Sequence, residues 1–215
     1  MNRLPVEKVE KAAGRAETMK TRIAAAIQGT GNALDATVET VTELVASVIE
    51  ETGRTAQAVS DVVADVTAGA IEAAVHVGAD LGHVTRGVMI GVSRAMKGVH
   101  REGLGDDKAL DTIRLTARVA IRDIARVGGD MEAATVGLVE GAIDSAKELG
   151  VRVEVAAATA AAGAMKGASR EGPLAEEAVR RVVRRPIKGI TPMLDVPDDL
   201  PPPVKAANRM LHRPN

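Results

Sequence analysis

Arg114, Arg118, Arg122 and Arg126 recur every fourth residue, and Arg180, Arg181, Arg184 and Arg185 crowd a second short stretch. On a helix a spacing of four draws side chains into one stripe. Each set therefore makes a positive face that suits phosphate groups, nucleic acid or an acidic partner. The plainer alternative is a solvated face neutralised locally, with Asp111 and Asp123 as partners of the first set. An acidic counterpart lies earlier, in Glu39, Glu43, Glu50 and Glu51. Shifted by 75 residues, Glu39, Glu43 and Glu51 fall on Arg114, Arg118 and Arg126. Opposite charges at corresponding positions suit complementary assembly, although chance divergence of exposed positions produces the same pattern.

The remaining candidate chemistry is thin. His76, His83, His100 and His212 show no metal-ligand spacing, and there is no cysteine to join them. GTGNAL at Gly29 departs from the dinucleotide fingerprint and follows a helix where a strand is required. GVSRAMKG at Gly91 lacks the GK[ST] ending of a phosphate loop, and no GxSxG is present. No catalytic residue, metal ligand or cofactor site is assigned, and the expectation is a protein that is not an enzyme.

Composition narrows the classes further. Apolar residues make up 46% and charged residues 27%, a globular balance. Phe, Tyr and Trp are absent, so any core is built from Ala, Val, Leu, Ile and Met. Aromatic platforms for stacking unpaired bases are missing with them, which disfavours nucleic acid as a partner. The net charge of −1 gives no global pull on polyanions. The longest uncharged run, Val155 to Met165, is far short of the ~20 residues that span a bilayer. The opening MNRLPVEKVEK has no apolar signal core, so the expected location is cytoplasmic.

Glycine sets the organisation of the chain. Gly53, Gly78, Gly103, Gly128, Gly150 and Gly172 stand 25, 25, 25, 22 and 22 residues apart. Helix-ending residues precede each one. Helix starters follow several: Thr55, Asp80, Asp106 and Asp130 as N-caps and Pro173 as a first-turn residue. The units between them carry apolar stripes of helical period, such as Leu34, Val38, Val41, Val45 and Val48. One helix per unit is expected, and no sheet. NALDATVE returns as KALDTIRL, GAIEAA as GAIDSA, and AMKGVHREG as AMKGASREG. The predicted organisation is an amphipathic helix over 1–28, a three-helix block over 29–102 and a second copy over 103–171. A terminal basic helix over 172–190 and a Pro-rich tail over 191–215 complete it. The tail after Pro186 is expected to lie outside the core, either as an arm that docks a partner or as a disordered end.

Inside the helices, glycines are dense: Gly82, Gly87, Gly91 and Gly98 in one unit, Gly163 and Gly167 in another. Each costs roughly 1 kcal/mol against Ala, so close helix packing is expected at Gly87, Gly91, Gly163 and Gly167, with the third helix of each block at the centre of the fold. A flexible helix or drift in the repeat are the alternatives. The glycine-bounded units with GAIEAA and GAIDSAKELG resemble bacterial hypothetical proteins built from Ala/Val/Gly helical repeats, over about residues 53–172. That resemblance implies a helical repeat and brings no activity with it. Phasins, which coat polyester granules, are similar in being Ala-rich and helical, without a shared motif.

The expected fold is all-α, an up-and-down bundle or short solenoid of about eight helices. The expected function is a structural scaffold that self-associates into a homo-oligomer or filament, with apolar contact from Leu115 and Val119. Two readings compete with it. One is a coat associated peripherally with a granule or membrane surface, and the other is anion or nucleic-acid binding through the arginine stripes.

Overall fold

The computed structural model describes residues 6–52, 55–99 and 105–192. It is all-α: α1 Val6–Thr30, α2 Ala33–Thr52, α3 Ala56–Val77, α4 Leu81–Val99, α5 Asp106–Val127, α6 Met131–Leu149, α7 Val153–Ala168 and α8 Pro173–Val183. Among the described residues there is no strand beyond one isolated bridge, Ile187 with Ile190.

Glycine turns make the helices reverse. Gly78, Gly128 and Gly150 have φ of 68°, 70° and 78°, the left-handed conformation that only Gly adopts without penalty. Each closes a Schellman motif: the Ala79, Gly129 and Val151 amides donate to the carbonyls of Ala74, Ile124 and Ala146. The next helix starts at once. Asp80 accepts from the His83 amide at 2.7 Å and Asp130 from the Ala133 amide at 2.9 Å, which satisfies amides otherwise orphaned at a helix start. Thr55 caps α3 in the same way.

Such short turns give alternating helices, and these sort into two layers. α1, α3, α5 and α7 form one layer, and α2, α4, α6 and α8 the other. Each helix packs on its chain neighbours across the layers and on its second neighbours within its own. Second neighbours run parallel, as Gly87 and Gly91 of α4 meeting Leu34 and Val38 of α2 in the same order requires. The core between the layers is aliphatic, with Ile23, Ile71, Met89, Ile113, Ile121 and Leu138 fully or nearly fully buried. The two predicted blocks pack as one, because α4 and α6 make the most extensive helix pair among the described residues.

Within a layer, glycine sets how near the helices come. A Cβ on Gly91 would lie 2.9 Å from the Val38 carbonyl oxygen and from Val41. A Cβ on Gly141 would lie 2.8 Å from the Arg86 oxygen and 2.7 Å from Met89, and one on Gly163 would lie 2.5 Å from the Arg114 oxygen. The same contact thus recurs for α2/α4, α4/α6 and α5/α7. The partners of Gly91 and Gly163, Val38 and Arg114, stand 76 residues apart. The central helices also repeat in pairs, 50 residues apart: α3 with α5, Thr85 with Thr135, Gly87 with Gly137 and Gly91 with Gly141.

Several sequence expectations need correction. The first turn falls at Gly31 (φ 68°) rather than Gly29, and Asn32 caps α2 by accepting from the Leu34 amide. Gly105, not Asp106, is the N-cap of α5. The terminal basic helix, expected within 172–190 with an end or kink at Pro186, stops at Val183. Lys188 and Gly189, both with positive φ, then turn the chain so that Ile187 and Ile190 exchange backbone hydrogen bonds. That turn is not outside the core, since Ile187 is buried and Lys188 pairs with Asp144 of α6. α4 lies between α2 and α6, whereas α7 ends its layer. Gly53, Gly103 and most of the 191–215 tail lie outside the described residues.

Candidate functional site

The two arginine sets do different things. Along α5, Arg114 pairs with Asp111 at 3.0 Å, Arg122 with Asp123 at 2.8 Å, and Arg126 with Glu171 at 3.4 Å. The hydrogen bonds from Arg122 to Asp123 raise its pKa further, partial burial opposes this, and the charges of Asp123 and Glu171 add to the rise. Arg122 therefore stays charged at any working pH. Arg118 is the member of the stripe with no ion pair among the described residues. Leu115 and Val119, expected as spare apolar surface, are not equivalent: Val119 is buried, while Leu115 remains partly open.

Arg114 and Arg118 overlook an open cleft of about 360 Å³ between α3 and α5. Its apolar lining is Val59, Val63, Met96 and Leu115, and Ser60, Lys108, Asp111 and Thr112 join the two arginines among its polar lining. None of the apolar lining residues stood out in the sequence, because each reads as part of an ordinary stripe.

In α8, Arg180 pairs with Glu176 one turn earlier, and Arg181 reaches Glu132 of α6 at 2.7 Å. Arg184 and Arg185 are exposed and have no acid partner among the described residues. These pairs end a ladder along the outer side of the even layer. Arg86 of α4 holds Glu140 at 3.2 Å and Asp144 at 2.8 Å, and Arg94 faces Glu148 at 3.6 Å. Arg94 also shares a shallow groove with Glu39 and Glu43 of α2. By sequence α2 carries acids and no base, and α4 bases and no acid. α6 has four acids against Lys147 alone. From Pro173 to Lys188, five cations face only Glu176 and Glu177. The order is acid, base, acid, base. Arg86, Arg94, Glu140 and Asp144 escaped the sequence reading, although a helix with no acid followed two helices later by one rich in acids was a visible signal.

The glycines singled out lie at helix crossings: Gly87 and Gly91 against α2, Gly163 and Gly167 against α5. Gly137 and Gly141 occupy the same kind of place on α6 and were not singled out. Gly98 differs, with open space where a Cβ would go. Among the described residues no group of His, Cys, Asp or Glu could hold a metal ion. His76 and His83 are exposed, His83 beside Asp80 at 2.9 Å, and His100 and His212 lie outside the described residues. Among the described residues no helix is long and apolar enough to cross a membrane. No family model matches this chain, and no curated protein matches it either.

Proposed function

We propose that the protein is a non-enzymatic helical scaffold that self-associates end to end, α8 of one copy docking beside α2 of the next. The observation that carries this reading is the alternation of charge along the even layer, which starts acidic and finishes basic. α2 meets α4 through Leu34, Thr37, Val38 and Val41. Of the exposed acids of α2, Glu39 and Glu43 line the groove with Arg94 of α4, Glu43 also pairs with Arg22 of α1 at 3.4 Å, and Glu50 stands further along the helix. At the far end Arg184 and Arg185 have no acid to answer them among the described residues. A second copy placed there continues the ladder by one more acidic helix. Such a contact is heterologous and gives a ring or an open filament, depending on whether the rotation closes.

Exposed ion pairs contribute only ~0–1 kcal/mol each, so charge sets the register and apolar contact must add to the affinity. Leu174 of α8, 87% exposed, offers an anchor. Val151, Val155, Ala162 and Met165 form a partly open apolar stripe at the free end of the odd layer.

Charge reversal tests the contact. Glu39→Lys with Glu50→Lys, and separately Arg184→Glu with Arg185→Glu, should each weaken self-association roughly tenfold, at a few tenths of a kcal/mol for each lost or reversed pair. Mixing the two variants in equal amounts should restore it, because each then meets an end of opposite sign. Association that survives both reversals, or a mixture no larger than either variant alone, would count against this interface.

A further inference from the structure

We propose that the cleft between α3 and α5 binds a single-chain amphiphile with an anionic head, its chain on Val59, Val63, Met96 and Leu115 and its head on Arg118. The inference is independent of self-association. It begins with why the cleft exists. The pairs α2/α4, α4/α6 and α5/α7 are drawn together where glycines of one helix sit on backbone carbonyls of the other. α5 contributes no glycine to its contact with α3, and these two helices meet less extensively than those three pairs do. A gap opens between the two helices, and its volume of about 360 Å³ falls in the small-ligand range.

The lining then selects the ligand. Val63 and Met96 are buried at the base, and Val59 and Leu115 are half open above them. Together they offer apolar contact to a hydrocarbon chain; Ser60 and Thr112 are the uncharged polar residues beside them, and the Thr112 hydroxyl already donates to the Lys108 carbonyl. Among the described residues of the rim, Lys108, Arg114 and Arg118 outnumber the one carboxylate, Asp111, which is already held by Arg114. Arg118 is half-buried over an apolar floor and has no ion pair among the described residues. A charge partly removed from water and left unanswered favours an anion that arrives with its own apolar shield. A free inorganic anion lacks the shield, and a neutral or cationic amphiphile lacks the charge.

The full chain, titrated with decanoate below its micelle concentration, gives the test. The readout is calorimetry together with methyl chemical shifts. Because the chain has no Phe, Tyr or Trp and no described His lines the cleft, phenylbutyrate is a sharp second probe: a ring-current shift at the cleft methyls comes from the ligand. Decanoate should bind, with decanol at least tenfold weaker and acetate undetected, and phenylbutyrate should shift the methyls of Val59, Val63, Met96 and Leu115. Arg118→Ala should weaken decanoate roughly tenfold, Arg118→Lys should retain most of the affinity, and Arg126→Ala should change nothing. Arg118→Gln keeps most of the side-chain stem and provides a second reading if Arg118→Ala melts early. Decanol binding as tightly as decanoate would overturn the proposal. So would shifts confined to other methyls, or folded Arg118 variants that bind like wild type.

Discussion

Gly137→Ala should destabilise the protein by about 3 kcal/mol, near the upper end for overpacking, and lower its melting temperature by roughly 6–12 °C. A Cβ at that position would stand 2.0 Å from the Gly82 carbonyl oxygen and 2.4 Å from the Thr85 hydroxyl oxygen. The nearest obstacle is backbone, so it cannot turn aside as a flexible side chain would. α4 and α6 must separate. With that separation go the approach of the Thr85 hydroxyl to the Ala134 carbonyl, 3.0 Å, and the grip of Arg86 on Glu140 and Asp144. Helix propensity pulls the other way by only ~1 kcal/mol. The control is Gly98→Ala in the same layer, where nothing lies within 4 Å; it should gain about 0.5 kcal/mol. Urea unfolding of both variants at unchanged m-value measures the contrast. Equal effects at the two sites would mean that glycine does not set the helix spacing.

Gly150→Val should cost about 2 kcal/mol or more through the backbone alone. Beyond its chain neighbours, nothing lies within 4 Å of a Cβ built there, so that atom meets no crowding. What remains is φ of 78°, a left-handed conformation that costs an L-residue ~1–2 kcal/mol and a β-branched one more. The turn also positions α7. Its 3.0 Å bond from the Val151 amide to the Ala146 carbonyl fixes where α7 starts, and hence whether Gly163 and Gly167 land on the Arg114 and Arg118 carbonyls. Gly150→Asn, which tolerates the left-handed region better, should lose about half as much. Thermal melts of the pair decide it: Val and Asn variants of equal stability would remove the conformational constraint.

What the sequence carried was local. A positive-φ turn such as Gly128 leaves a mark within a few residues, because glycine, the helix ending before it and the Asp130 cap after it lie side by side. The glycines of α4 were legible for a similar reason, since four in one helix are costly; Gly82, Gly87 and Gly91 meet neighbouring helices, and Gly98 does not. Partnership was not legible, because a periodic stripe says that a face is buried and not what buries it. Val119 looked like spare surface, yet α3, α4, α6 and α7 all pack on α5 and leave it a narrow exposed strip. Arg126 answers Glu171 and Arg181 answers Glu132 across 45 and 49 residues, distances at which spacing conveys nothing. The pairwise period of 50 residues was hidden by the stronger three-helix word matches. The choice of Gly105 over Asp106 as cap is a shift of one residue, the usual uncertainty at a helix end.

The proposal of an end-to-end scaffold stands most directly on the mass of the particle in solution. Light scattering on the chromatographed chain, from low to tens of micromolar and at low and high salt, measures it. The predicted result is a mass above the 22.2 kDa of one chain that rises with concentration at low salt and falls as salt screens the α2 and α8 charges. A mass fixed at 22.2 kDa at tens of micromolar in low salt would contradict it.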